Sequence, residues 1–175
     1  MAQSPKLQSS SRFLSGSGTL KLRPSDSMKE QHSDSITDEE LVFRAVRDQP
    51  LLFPKDDTGK VRISSMAFND LSRRPSVDRA NMCLNGPSET RDRFSLGSGV
   101  LSLKVNEIRG IKATHGITGQ EYGVDIEAVP LAENHAHAEI FGRPPFDSDK
   151  VFDRIKQSLT RISTIVIAPD HLSKG

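Results

Sequence analysis

Two histidines and three carboxylates alternate along one stretch of this chain. Asp125 and Glu127 share one side of the run Val124–Ala128, and His135, His137 and Glu139 share one side of the run after Pro130, because successive strand residues point to opposite faces. If the runs pair as a hairpin with Glu127 opposite His137, imidazoles and carboxylates meet at cross-strand distances of about 5–8 Å. Such a set suits a divalent metal of the Zn, Mn or Fe type on Asp125, Glu127, His135 and His137, or acid–base work by a His–carboxylate pair. The competing reading is a solvated sheet face, since Val124, Ile126, Ala128, Ala136, Ala138 and Ile140 already supply a buried side. Two histidines at i and i+2 are not a specific ligand spacing.

A second constellation gathers Arg62, Ser64, Ser65, Arg73, Arg74, Ser76, Asp78 and Arg79. Arginines among hydroxyls fork onto phosphate or carboxylate oxygens, with Asp78 placed to orient one guanidinium. The pattern therefore predicts an anion or phosphate site at Arg62, Ser64, Arg73, Arg74, Ser76, Asp78 and Arg79; the alternative is an Asp78–Arg pair within ordinary surface. Nucleophilic use of Ser64 or Ser76 requires a His base that chain order alone does not place beside them. Cys83, between Met82 and Leu84, reads as a small buried hydrophobe, with Arg79 the one nearby cation that would activate it.

The chain lacks a phosphate loop, a G-x-G-x-x-G turn, H-E-x-x-H, a G-x-S-x-G elbow and an EF-hand loop. Common nucleotide and protease chemistries lose their usual signatures with them.

The elements that must position these residues follow from capping and periodicity. Thr37-Asp38-Glu39-Glu40 has the form of a capping box, so a helix is predicted over about 38–48, with Leu41, Val42, Ala45 and Val46 apolar and Pro50 closing it. Val61–Ser64 alternates as a strand after the Asp57-Thr58-Gly59 turn, and Ser76-Val77 reads as a short extended piece. Pro87 opens a helix of about two turns that ends before Gly97. Strands are predicted at Val100–Val105, Ile108–Ile111, Val124–Ala128 and His135–Ile140, with a loop over 112–121. Val151, Phe152, Ile155, Leu159 and Ile162 keep the helical period, which predicts an amphipathic helix over about 148–162, before a last extended segment at Thr164–Ala168. The expected class is α+β: a mainly antiparallel sheet with an N-terminal helix at 38–48 and a C-terminal helix at 148–162 packed on it.

Composition bounds the rest. Leu, Ile, Val and Phe make up 44 of the 175 residues, above the roughly 20% below which chains stay disordered. Residues 1–36 hold ten serines and six of those apolar residues, which predicts a disordered Ser-rich tail before a single domain at 37–175. Met28, just upstream of that boundary, is an alternative translation start that would exclude residues 1–27, while residues 1–25, basic and without acids, share the composition of organelle transit peptides. A net charge of +1 does not indicate nucleic acid, one Cys excludes a disulfide framework within the chain, and no apolar run of membrane-spanning length or secretory h-region is present. A reducing, cytoplasmic setting follows as the expectation. The sequence is thus read as a small intracellular, non-catalytic binding or accessory domain for a protein partner or a phosphate-bearing anionic ligand, with no cofactor. The alternative is a metal-assisted hydrolase or nuclease on the His/carboxylate hairpin.

Overall fold

A computed structural model describes residues 35–173. The tail expected over 1–36 lies, up to residue 34, outside them, as do the alternative start at Met28 and the transit-like composition of 1–25. Seven strands form one sheet: β1 (Leu41–Val46), β2 (Ser76–Arg79), β3 (Gly99–Lys104), β4 (Lys112–Thr114), β5 (Glu121–Ala128), β6 (His137–Arg143) and β7 (Thr164–Ile167). Every pairing is antiparallel, in the order β4-β5-β6-β2-β1-β3-β7. Four helices accompany it: α1 (Pro87–Phe94), α2 (Val105–Arg109), α3 (Asp149–Ile162) and the short α4 (Asp170–Ser173). The α+β class with an antiparallel sheet is therefore observed, and no helix among the described residues is long and apolar enough to cross a membrane.

The amphipathic helix predicted at 148–162 is α3. It buries Val151, Phe152, Ile155 and Leu159 against the sheet face built from Val42, Leu101, Leu103, Val77, Ala138, Ile140, Val124 and Ile126. The opposite face carries a smaller cluster of Phe43, Cys83, Val100 and Ala136, covered by the segment running from Ala80 into α1.

The N-terminal helix predicted at 38–48 is instead strand β1. Glu40 does not return to the Thr37 N–H as a capping box demands. Its buried carboxylate takes Arg79, with Nε at 2.8 Å and Nη2 at 3.1 Å, and the Thr37–Glu40 turn closes by a main-chain bond of 3.2 Å. The six residues that follow alternate Val42, Arg44, Val46 against Leu41, Phe43, Ala45, and both sides are needed because β1 lies inside the sheet with a layer on each face.

Three further differences have local causes. Ile108–Arg109 lies in α2, which Gly110 ends, so the strand starts later, as β4, and takes residues 112–114 from the expected loop. Val61 makes only an isolated bridge to Lys55, and Ser64 caps a 3-10 turn at Ser65–Phe68 in place of a strand. The hairpin of β5 and β6 forms with Glu127 opposite Glu139, two residues from the register that would bring Glu127 to His137.

A cleft between two parting strands

The ladder between β1 and β2 consists of Val42↔Arg79 and Phe43↔Asp78 and stops there. The pairs that would continue this register, Arg44 with Val77 and Ala45 with Ser76, are not made. Arg44 fills the opening: its Nε, Nη1 and Nη2 donate, each at 2.7 Å, to the Ala67 carbonyl, the Ser76 carbonyl and the Asp70 carboxylate. The guanidinium also lies over the Phe68 ring, 5.3 Å from its centroid. Burial lowers its pKa against the pull of Asp70, yet an arginine stays charged at any pH a folded protein meets.

The parting leaves a cleft of about 570 Å³, inside the roughly 300–1,000 Å³ of small-molecule sites. Met66, Asn69 and Asp70 line it from the 3-10 turn and the loop after it, which pack towards α3. Thr90, Arg93 and Phe94 line it from α1, on the other face of the sheet. Ser76, Asp78 and His137 come from β2 and β6, and Arg47 and Gln49 follow β1.

Most charges in the cleft are already answered. Asp78, buried at 6% exposure, accepts from Asn134 Nδ2 at 2.7 Å and from Arg93 Nη2 at 3.0 Å. Burial opposes the charge on Arg93, but the bond and charge of Asp78 together with the bonds to Cys83 and Glu89 outweigh that and hold its pKa above the ordinary arginine value. Arg93 Nη2 also lies 3.3 Å from Cys83 Sγ. Burial nevertheless pushes the Cys83 thiol up, so it is a neutral packing group and not an activated nucleophile.

Besides the Gln49 amide, three groups in the cleft are left over. His137 Nδ1 is 2.8 Å from the Val129 carbonyl, which can only accept, so Nδ1 carries a hydrogen and, in the neutral ring, Nε2 carries the lone pair. That Nε2 and the Ser76 hydroxyl make no hydrogen bond among the described residues, and Arg47, exposed at the end of β1, makes no ion pair among them.

Of the residues singled out in the sequence, the structure brings only Ser76, Asp78 and His137 to this cleft. The arginines do not form the expected anion cluster, because each meets a protein acceptor of its own. Arg62 pairs with Asp56 at 3.0 Å on the surface, and Ser64 Oγ accepts from the Met66 N–H at 3.3 Å. Arg73, in the left-handed region at φ 56°, donates to the Phe146 carbonyl at 3.0 Å and pairs with Asp149 at 2.6 Å. Arg74 bridges Glu139 and Glu127 across the Phe141 ring, and Arg79 is buried on Glu40.

The same pairing takes apart the expected metal set. Asp125 lies between Arg109 and Arg143, each at 2.8 Å, while Glu127 is held by Arg74. His135 is exposed in the turn before β6, and His137 stands across from Asp78. No three His, Cys, Asp or Glu side chains among the described residues converge as cation ligands.

The chain matches no protein-family model, no curated protein and no solved structure. Its chemistry must be read from the cleft itself. Arg44, Arg47, Met66, Arg93 and Phe94 escape motif reading, although Arg44 leaves one trace: a charge inside the apolar run Leu41–Val46 signals a buried partner.

Proposed function

We propose that this chain is a binding domain for a small anionic ligand, held in the cleft where β1 and β2 part. The observation that supports this reading most is the balance of charge there. Arg44 is neutralised by Asp70 and Arg93 by Asp78 and Glu89, while Arg47 lines the cleft with no ion pair among the described residues, as do the unbonded Ser76 hydroxyl and His137 Nε2. An anionic group on Arg47 gains a charge-assisted hydrogen bond without displacing an existing pair. A polar ligand then finds one donor–acceptor hydroxyl and one imidazole nitrogen, both on half-buried residues. The anionic partner expected from sequence is kept in this reading, and its site moves from Arg73–Arg79 to Arg47 and the cleft floor.

A ligand that binds only the folded state raises the unfolding temperature in proportion to the logarithm of its concentration. Purified full-length chain titrated with inorganic phosphate, ribose 5-phosphate and AMP is expected to show that rise with at least one of them. Arg47→Ala is expected to remove it, and Arg62→Ala, on the distant surface turn, to keep it. No shift with any of the three, or the same shift in parent and Arg47→Ala, overturns the proposal.

A further inference from the structure

The single-turn helix α4 ties together two parts of the cleft wall that are far apart in sequence. The Asp170 N–H donates to the Gly97 carbonyl at 2.9 Å, three residues after Phe94 at the end of α1. The His171 N–H donates to Asp48 Oδ1 at 3.3 Å, and the same oxygen pairs with the His171 ring Nδ1. Asp48 stands between Arg47 and Gln49, both of which line the cleft, as do Thr90, Arg93 and Phe94 of α1. The two carboxylates meet across the same glycine: a methyl group at Gly97 would lie 3.4 Å from both Asp48 Oδ2 and Asp170 Oδ2. His171 Nε2 is buried without a hydrogen bond among the described residues, so Asp48 is the polar group that orients the ring, which tilts against Phe53 with centroids 6.1 Å apart.

We infer that α4 is a latch on the anion cleft, in which His171 positions Arg47 by fixing Asp48, and Asp170 holds the end of α1 through Gly97. This rests on the anionic-ligand reading and names how that site is controlled. None of the four residues of α4 is buried, whereas β1 lies inside the sheet. An element with so few buried groups opens at a lower free energy than the sheet beneath it. Leu172, partly buried against the main core, gives the turn a fixed place to return to. Opening frees the segment that carries Arg47, so the anion binds the closed form more tightly. By reciprocity, the bound anion holds the latch closed.

The test measures that reciprocity on the full chain, with whichever of inorganic phosphate, ribose 5-phosphate and AMP raises the unfolding temperature most. At saturation, amide hydrogen exchange at Asp170 and His171, followed by NMR, is expected to slow by at least about fivefold, the low end of coupling between two sites. The Gly59 amide, which donates to the Asp56 carbonyl at 2.8 Å in the surface turn, is expected to keep its rate. His171→Ala is expected to weaken binding by a similar factor in isothermal titration, and His171→Asn, whose amide can still donate to Asp48, to restore it. Arg47→Ala is expected to abolish both the binding and the slowed exchange. If an anion binds through Arg47 but the Asp170 and His171 rates stay the same, or slow no more than that of Gly59, the latch is overturned and the anion reading stands. A folded His171→Ala with the parent's affinity also overturns the latch, and if that variant does not fold the parent's exchange rates decide. No rise in unfolding temperature with any of the three anions overturns both readings.

Discussion

The Arg44 guanidinium donates to the Ser76 main-chain carbonyl at 2.7 Å, at the place where an unbroken ladder would have set a β1 amide. A side chain thus stands in for a strand rung, and the same guanidinium satisfies two more acceptors. Arg44→Met is expected to destabilise the fold by about 2–4 kcal/mol, because Asp70 and two carbonyls lose a buried donor together. Arg44→Lys should recover only part of that, since an ammonium cannot fork in three directions from one plane. Urea titration measures both, and a midpoint for Arg44→Met equal to the parent's would show that the opening holds without the arginine.

Among the described residues, Arg79 and Glu40 form the most enclosed ion pair, each side chain 5% exposed. Arg79→Ala leaves a carboxylate buried without its cation and is expected to cost about 3–5 kcal/mol. Arg62→Ala breaks a surface pair, with Arg62 70% exposed, and is expected to cost less than about 1 kcal/mol. Similar losses in the two variants, read by chemical denaturation, would contradict this division of the arginines.

A methyl group at Gly142 would lie 2.5 Å from two ring carbons of Phe146 and 2.7 Å from the Pro144 carbonyl oxygen. The ring is buried among Tyr122 and Phe152, so neither neighbour gives way cheaply. Gly142→Ala is expected to destabilise by about 1–3 kcal/mol, the usual range for overpacking. Gly59→Ala meets no atom within 4 Å but keeps φ at 81°, so its cost is the backbone term alone, about 1–2 kcal/mol. Thermal unfolding of Gly142→Ala at the parent temperature would refute the clash.

Acid should weaken the fold through specific aspartates. The Thr58 hydroxyl, Arg62 and the Lys60 and Thr58 amides together hold the Asp56 pKa at about 2, against the opposing effect of desolvation. Burial works to raise that of Asp125, but the bonds from Arg109 and the Ile126 N–H outweigh it and leave the value below the ordinary range. Both folded-state values lie below the unfolded one, near 3.9. Their stabilisation is present above that pH and is lost as pH falls through about 4 towards 2, where the unfolded chain takes up protons first. Carboxyl chemical-shift titration of the folded protein should find Asp56 still ionised at pH 3, and unfolding free energy should drop between pH 5 and 3. A flat profile over that interval would remove the assignment.

How much of this was legible depends on the range of the interaction. Helix α3 and the runs of β5 and β6 show in the sequence because their signals are local: a 3.6-residue period in Val151–Ile162 and strict alternation in Val124–Ala128. The error at 38–48 comes from a local signal overruled at a distance. Thr37 and Glu40 have the spacing of a capping box, but Glu40 gains more from Arg79, which lies 39 residues away. Hairpin register was equally hidden, since a shift of two keeps every side chain on its face and leaves the alternation unchanged. The arginine cluster misled for the same reason: Arg73, Arg74 and Arg79 are neighbours in sequence, and the carboxylates that claim them are 76, 65, 53 and 39 positions away. Of the cleft, only its histidine, its serine and Asp78 had types that drew notice.

The strand order also dictates when the protein can exist during its synthesis. β2 lies between β1 and β6, and β6 ends at Arg143, so a nascent chain that has emerged only through β5 carries Ser76–Arg79 as an open edge with nothing to pair on one side. The sheet closes late, only once the chain through Arg143 has left the ribosome, and its long-range pairings make folding slower than in a chain whose strands meet in sequence order. Translation pauses or truncations before Arg143 should therefore yield aggregation and proteolysis in place of a smaller stable domain.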